Sequence, residues 1–311
     1  MDALKRAWLS LDGLSVGDAF GERFFGPSNE VLRRISRRDL PDAPWTYTDD
    51  TEMALSIVEI LQDCGCIQQN LLATRFAGRM QFNRGYGRGA YAILWGVKQG
   101  LDWRLATRIG FRGMGSFGNG AAMRVAPLGA FFADQPLGII CDQARLSAEI
   151  THAHAEGIAG AIAVAVAAAL AWQQRGASAT LGPAWIAAIR DAIPRGYTRD
   201  AVGEALDIPV DATIAEVAKA LGNGSGVTAP DTVPLCLWVV AHSSGGFEQA
   251  LWQTVGALGD RDTNCAIVGG ILALRTGHNG IPQGWLQSRE KLPIGPDVAA
   301  KARSAKDRRR N

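Results

Sequence analysis

Asp49, Asp50 and Glu52 stand side by side between threonines in WTYTDDTEMAL (45–55), directly before an apolar run. About 210 residues later LGDRDTNCAIVGGI (258–271) repeats the arrangement with Asp260, Asp262 and Thr263. Taken alone, each stretch is a good helix start. Thr48 or Asp49 can cap the free amides, Glu52 can reach back in a capping box, and acids suit the positive end of the helix dipole. The pair opens a second reading. If the two helix starts face each other, Asp49, Asp50, Asp260 and Asp262 crowd four negative charges together, and such a group either raises its pKa values or gathers cations. Carboxylate and hydroxyl donors, with neither Cys nor His needed, select hard Mg²⁺, Mn²⁺ or Ca²⁺ over zinc. Four carboxylates can hold two divalent ions, a clamp used on phosphate and sugar oxygens.

Four segments are unusually rich in glycine for helix connections: FNRGYGRGAY (82–91), GMGSFGNGAAMR (113–124), THAHAEG (151–157) and LGNGSG (221–226). One tight turn needs one or two glycines, whereas loops of this composition let backbone amides approach a ligand closely. Gly113, Gly115 and Gly118 formally satisfy GxGxxG, but no apolar strand precedes them, which argues against a dinucleotide fold. There is no GK[ST] phosphate loop and no GxSxG elbow. His152 and His154 flank a single alanine, a spacing more often polar packing than metal ligation.

The elements that must position these residues read as helices. Met53, Ile57, Ile60 and Leu61 recur with the period of a core-facing stripe, and IAEVAKAL (214–221) and Cys265–Leu274 are further helices. Gly13, Gly17 and Gly21 lie four apart on one helical face. Each glycine costs about 1 kcal/mol of helix stability, so three in register imply a close backbone neighbour. GIAGAIAVAVAAALAW (157–172) reads as a central buried helix, since it falls short of the ~20 residues of a membrane span. Convincing period-2 strands and fixed-period repeats are absent from the sequence. Residues 173–213 resemble an insertion, yet Trp185 and Ile189 look core-facing, so the expectation is one all-α domain over 1–295 with a basic, flexible tail over 296–311.

Composition narrows the class. The 311 residues are 47% hydrophobic and 20% charged, as in ordinary globular proteins. The net charge of +2 is uneven: KARSAKDRRRN (301–311) holds six Lys/Arg and one Asp, leaving the body 26 positives against 29 negatives. The body therefore offers no electrostatic case for nucleic acid. Cys64, Cys66, Cys141, Cys236 and Cys265 form neither a disulfide framework nor a zinc set, and the N-terminus shows no secretory signal. A cytoplasmic protein that does not enter membranes is expected.

In order and spacing, GLSVGDAFG (13–21), TDDTEM (48–53), RGYGRG (84–89), GSFGNGAAMRVAPLG (115–129), THAHAEG, LGNGSG with DTVP (231–234), GDRDT (259–263) and IPQGW (281–285) resemble the ADP-ribosylglycohydrolases. The resemblance runs over roughly residues 8–287. It implies an all-α orthogonal bundle with a binuclear Mg²⁺ (or Mn²⁺) centre ligated by Thr48, Asp49, Asp50, Asp260, Asp262 and Thr263. The loop of Gly115, Ser116, Phe117, Gly118, Asn119 and Gly120 would wrap the ADP-ribose phosphates and proximal ribose. Met123 and His152 would shape the pocket, Phe117 would pack against adenosine, and Tyr86 would lie near the distal ribose.

The implied activity is metal-dependent hydrolysis of the glycosidic bond joining ADP-ribose to a modified side chain, arginine first and serine second. The substrate would be an ADP-ribosylated protein or a small ADP-ribose conjugate, and the enzyme a monomer. Cleavage at ribose C1″ builds oxocarbenium-like charge, and Asp50 or Asp262 would serve as the metal-linked base. One position departs from the family. Many relatives carry a glutamate where this chain has Phe25, and the nearest acid is Glu22. Either Glu22 substitutes, or the loop acids do the work, or activity is altered. Phe25 also favours the alternative of a non-catalytic module that binds ADP-ribose or an ADP-ribosylated protein as a sensor or toxin antagonist.

Overall fold

A computed structural model describes residues 1–176, 180–244 and 246–295; the tail over 296–311 lies outside them. Among the described residues there are sixteen α-helices, three short 3₁₀ turns and no strand beyond two isolated bridges. The first half holds α1 (Ala3–Glu22), α2 (Ser28–Arg37), α3 (Asp49–Cys64), α4 (Gln69–Arg79), α5 (Arg88–Lys98), α6 (Trp103–Ile109), α7 (Ala126–Phe131) and α8 (Leu137–Glu149). The second holds α9 (Ala155–Gln173), α10 (Gly182–Ala192), α11 (Tyr197–Glu204), α12 (Ile214–Leu221), α13 (Ala229–His242), α14 (Gly246–Gly256), α15 (Arg261–Thr276) and α16 (Gln283–Ser288). The all-α expectation holds.

The glycine face of α1 explains the centre of the fold. A methyl group built on Gly13, Gly17 or Gly21 would lie 2.3, 2.0 or 2.3 Å from the carbonyl oxygens of Gly269, Cys265 and Arg261 respectively. Four residues forward on α1 thus match four residues back on α15, so the helices run antiparallel with their backbones touching. The contact brings the start of α15 to the end of α1. Asp18, next to Gly17, faces the start of α3 and receives hydrogen bonds from the Thr48 and Thr51 backbone N–H groups (3.0 and 3.1 Å). One buried helix therefore docks both acidic helix starts.

The other helices enclose this pair. The helix Ala155–Gln173 outruns the 157–172 apolar run at both ends and meets the length and apolarity of a membrane span, so length does not exclude one; it is a central helix because it lies largely buried in the core. Trp185 and Ile189 are buried on α10, so the segment read as a possible insertion contributes to the core. Phe20 anchors the far side, stacked on Trp285 at 4.4 Å and edge-on to Trp252 at 5.0 Å. Such aromatic pairs add about 0.5–1.5 kcal/mol each beyond area burial. They hold the C-terminal segment in place: Trp45 N–H donates to the Ser288 carbonyl (2.6 Å) and Glu290 N–H to the Trp45 carbonyl (2.8 Å). Arg84 then pairs with both Glu290 oxygens, at 2.8 and 2.9 Å, and its own carbonyl accepts from Asp49 N–H at 2.7 Å.

Candidate active site

Thr48 is the N-cap of α3, its hydroxyl accepting from Asp50 N–H, which leaves Glu52 one residue too far along for the expected capping box. The Thr48 N–H that such a box would satisfy is already taken by Asp18. Glu52 turns elsewhere: its Oε2 accepts from Tyr86 Oη (2.8 Å) and Gln81 N–H (3.0 Å). At the other helix start Asp260 occupies the N-cap position of α15 without a side-chain cap bond. Its Oδ2 accepts instead from Asn119 Nδ2 at 2.7 Å.

The two starts converge through Asp18. One carboxylate oxygen from each of Asp18, Asp50 and Asp262 lies within 4.8 Å of the others. Burial drives Asp18 up to about 6 and, with the charge of Asp18 added, Asp49 up to about 8. Burial and the neighbouring acids hold Asp50 and Asp262 well above the ordinary carboxylate range. No Lys or Arg is ion-paired with these acids among the described residues, and the buried Oδ1 atoms of Asp50 and Asp262 have no hydrogen-bond partner. Convergent carboxyl groups with no cationic partner, held above their ordinary pKa by burial and one another's charge, are the donor set a hard divalent cation would ionise and neutralise, and these residues fit one.

A cavity of about 510 Å³ opens above them. Asp49, Asp50, Asp260, Asp262 and Thr263 form its floor, and Ser116, Phe117, Gly118, Asn119, Gly120, Met123 and His152 form a wall. Thr48, Glu22, Tyr86 and Gly115 are not among its lining residues. Thr48 hydrogen-bonds Asp18 and Asp50, and Tyr86 braces Glu52. Gly115, at φ 78°, turns its loop so tightly against Ala153 that a methyl group there would sit 2.6 Å from the alanine Cβ. Glu22 is half-buried and follows Gly21, where a methyl group would lie 2.8 Å from the Asp262 Cα, which sets it at the edge of the acidic cluster; burial with the charges of Asp18 and Asp260 raises its pKa. Phe25 is 46% exposed under the Arg261 guanidinium (5.1 Å), in a depression on the far side of Asp260.

The glycine loop is partly self-satisfied. Gly118 N–H donates to Ser116 Oγ at 3.2 Å, and Asn119 N–H to the Val227 carbonyl at 3.3 Å. Asn119 Nδ2 reaches Thr232 Oγ1 as well as Asp260, so its amide orients an acid of the floor. His154 caps α9 through its Nδ1, whereas His152 is buried in the wall.

Three residues of the site escape sequence reasoning. Asp18 was visible only as a carboxylate inside a glycine-patterned apolar helix, a mark of a buried acid. Arg124, fully buried at the back of the cavity, sits in the GNGAAMR stretch with no charge partner nearby in sequence. Phe111 lines the cavity at φ 56° with its ring against Gly89, and nothing in the sequence singles it out.

Comparison with known proteins places this geometry. A sequence-family profile described as ADP-ribosylglycohydrolase matches residues 1–310. ADP-ribosylhydrolase ARH3 of Homo sapiens is 30% identical over 326 residues, covering 90% of this chain and 88% of the relative. The Xenopus tropicalis protein of the same name is 28% identical over 335 residues, covering 94% and 93%. A solved structure, an ADP-ribosylglycohydrolase-related protein complex, superposes with a TM-score of 0.66 at 25% identity, covering 93% of each chain. The chain therefore belongs to the ADP-ribosylglycohydrolase family of hydrolases.

Proposed function

We propose that this protein hydrolyses the glycosidic bond between ribose C1″ of ADP-ribose and a modified side chain, using two Mg²⁺ ions, or Mn²⁺ in their place. The observation that carries the reading is the convergence of Asp50 and Asp262, each with an unpartnered buried oxygen, in the lining of a cavity of about 510 Å³. Thr48, Asp49, Asp50, Asp260, Asp262 and Thr263 would hold the cations, and Asp18 joins them through its contact with Asp50 and Asp262. Bound divalent cations orient ribose hydroxyls and lower the pKa of water.

The chain's own residues supply the rest. Asp18 and Asn119 fix the acids in place through Thr48, Thr51 and Asp260. The 115–120 loop and Met123 seat the ADP-ribose, and Phe117, 42% exposed at the mouth, offers an aromatic face to adenosine. Asp50 or Asp262 accepts the proton of the attacking water, while Glu22 at the cluster's edge is the remaining candidate base. Every proposed ligand comes from one chain, which supports a monomer, and five free cysteines support a reducing, cytoplasmic setting. The substrate is an ADP-ribosylated protein or a small ADP-ribose conjugate.

The test is release of ADP-ribose, followed by mass spectrometry, from arginine-linked and serine-linked peptides with Mg²⁺ or with EDTA. Cation-dependent release from one peptide is expected, and it names the linkage. ADP-ribose binding without release from either peptide overturns the arginine and serine assignments and favours a binding module or another linkage, and Phe25→Glu becomes the variant to assay.

A further inference from the structure

Arg124 is an uncompensated charge. Its side chain is 0% exposed, it lines the cavity, and it makes no ion pair among the described residues. Nη2 donates to the Ser147 carbonyl (3.0 Å) and Thr151 Oγ1 (2.9 Å), Nη1 reaches Met53 Sδ at 3.4 Å, and the guanidinium lies 4.6 Å from the Phe76 ring centroid. A guanidinium can only donate, so Thr151 Oγ1 accepts from it.

Thr151 Oγ1 has one other contact, His152 Nδ1 at 2.8 Å. If His152 donated from Nδ1, the hydroxyl would accept twice, and its own proton would have no acceptor although Thr151 is only 1% exposed. A buried orphan donor costs about 1–3 kcal/mol. The hydroxyl therefore donates to Nδ1, and the proton of the neutral ring resides on Nε2. Burial, then the charge of Arg124, pushes His152 down to about 3, so the ring stays neutral. Its Nε2 has no hydrogen-bond partner among the described residues. A methyl group on Gly118 or Gly120 would meet it at 3.4 or 3.3 Å, so the atom faces the floor of the glycine loop.

We propose that Arg124 and Thr151 are positioning residues that lock His152 in its Nε2–H form, a fixed neutral donor to an acceptor oxygen of the ligand held over Gly118 and Gly120. The ligand chemistry, a phosphate or ribosyl oxygen, rests on the function proposed above; the tautomer lock does not. A neutral donor suits a ligand that must also leave, because it adds a directional hydrogen bond without a second buried cation beside Arg124.

Nitrogen-15 NMR of the His152 ring in the full chain, without ligand, tests the lock. The expected spectrum shows a protonated Nε2 and a bare Nδ1, and a protonated Nδ1 overturns the proposal. Thr151→Val should release the tautomer and weaken ADP-ribose binding by about tenfold, as expected for one lost hydrogen bond. The loss should fall on KM rather than on kcat, and Thr151→Ser should restore both the tautomer and the affinity. Unchanged tautomer and affinity in Thr151→Val overturn the proposal. Loss of folding in Thr151→Val leaves the decision to the wild-type spectrum and to Thr151→Ser. A wild-type protein with the Nε2–H form but no affinity for ADP-ribose refutes the functional reading and the ligand named here, while the lock stands.

Discussion

Stripping divalent cations from this protein should reverse the usual relation between pH and stability for a carboxylate-rich site. A buried acid whose folded pKa lies above its unfolded value stabilises the fold while protonated, and that contribution is lost as pH rises through the folded pKa. Asp49 moves from 3.8 to about 8, so the folded protein retains its proton over most of the interval from about pH 6.5 to about pH 8.5. At about 1.4 kcal/mol per proton per pH unit, Asp49 alone removes about 2 kcal/mol across that interval. Asp50 and Asp262 shift in the same direction and add to the loss. His152 works the other way, since its folded pKa is depressed. Its stabilisation is lost as pH falls below its ordinary value of 6.5, so beginning at that pH limits its part. For a chain of this length roughly 2 °C of Tm follows each kcal/mol, giving a fall of about 4 °C or more in EDTA. On the proposed function, millimolar Mg²⁺ at about a hundred times Kd should add about 2.7 kcal/mol and remove the slope, because the acids would then be ionised and neutralised by the ions. Thermal unfolding followed by circular dichroism, in EDTA and in Mg²⁺ across the interval, reads both effects. A Tm in EDTA that stays flat or rises with pH, or a Mg²⁺ shift of the same size at both ends, would refute the reasoning.

Two further outcomes follow from the same geometry. Asp262→Asn removes one crowded charge, so it should raise the Tm of the cation-free protein near pH 8 while cutting ADP-ribose release by on the order of a hundredfold or more; lower Tm with retained turnover contradicts both roles. Gly17→Ala places a methyl group 2.0 Å from the Cys265 carbonyl, where backbone cannot give way cheaply, so denaturant unfolding should show a loss of about 3 kcal/mol or more, against less than about 1 kcal/mol for Gly138→Ala, whose position is open.

The sequence by itself determined the most strongly patterned helices and the chemistry that the acidic stretches could bring. IAEVAKAL is α12 from Ile214 to Leu221, the alanine-rich run is the buried α9, and both acidic stretches begin helices, because caps and apolar periodicity are local properties. It also supplied the donor types, since a set of carboxylate oxygens selects hard cations whatever the fold. Tertiary structure alone decided who meets whom. Glycines four apart demand a close neighbour but do not name α15, and only the antiparallel register of Gly13, Gly17 and Gly21 against Gly269, Cys265 and Arg261 carries Asp260 and Asp262 to Asp50. The same docking makes Asp18 the hub and takes the capping role from Glu52, whose rival for the Thr48 N–H stands thirty residues earlier in the chain. Pairing across that distance leaves no local mark. Nor does the state of His152, which depends on a guanidinium and a hydroxyl that the fold alone places against it.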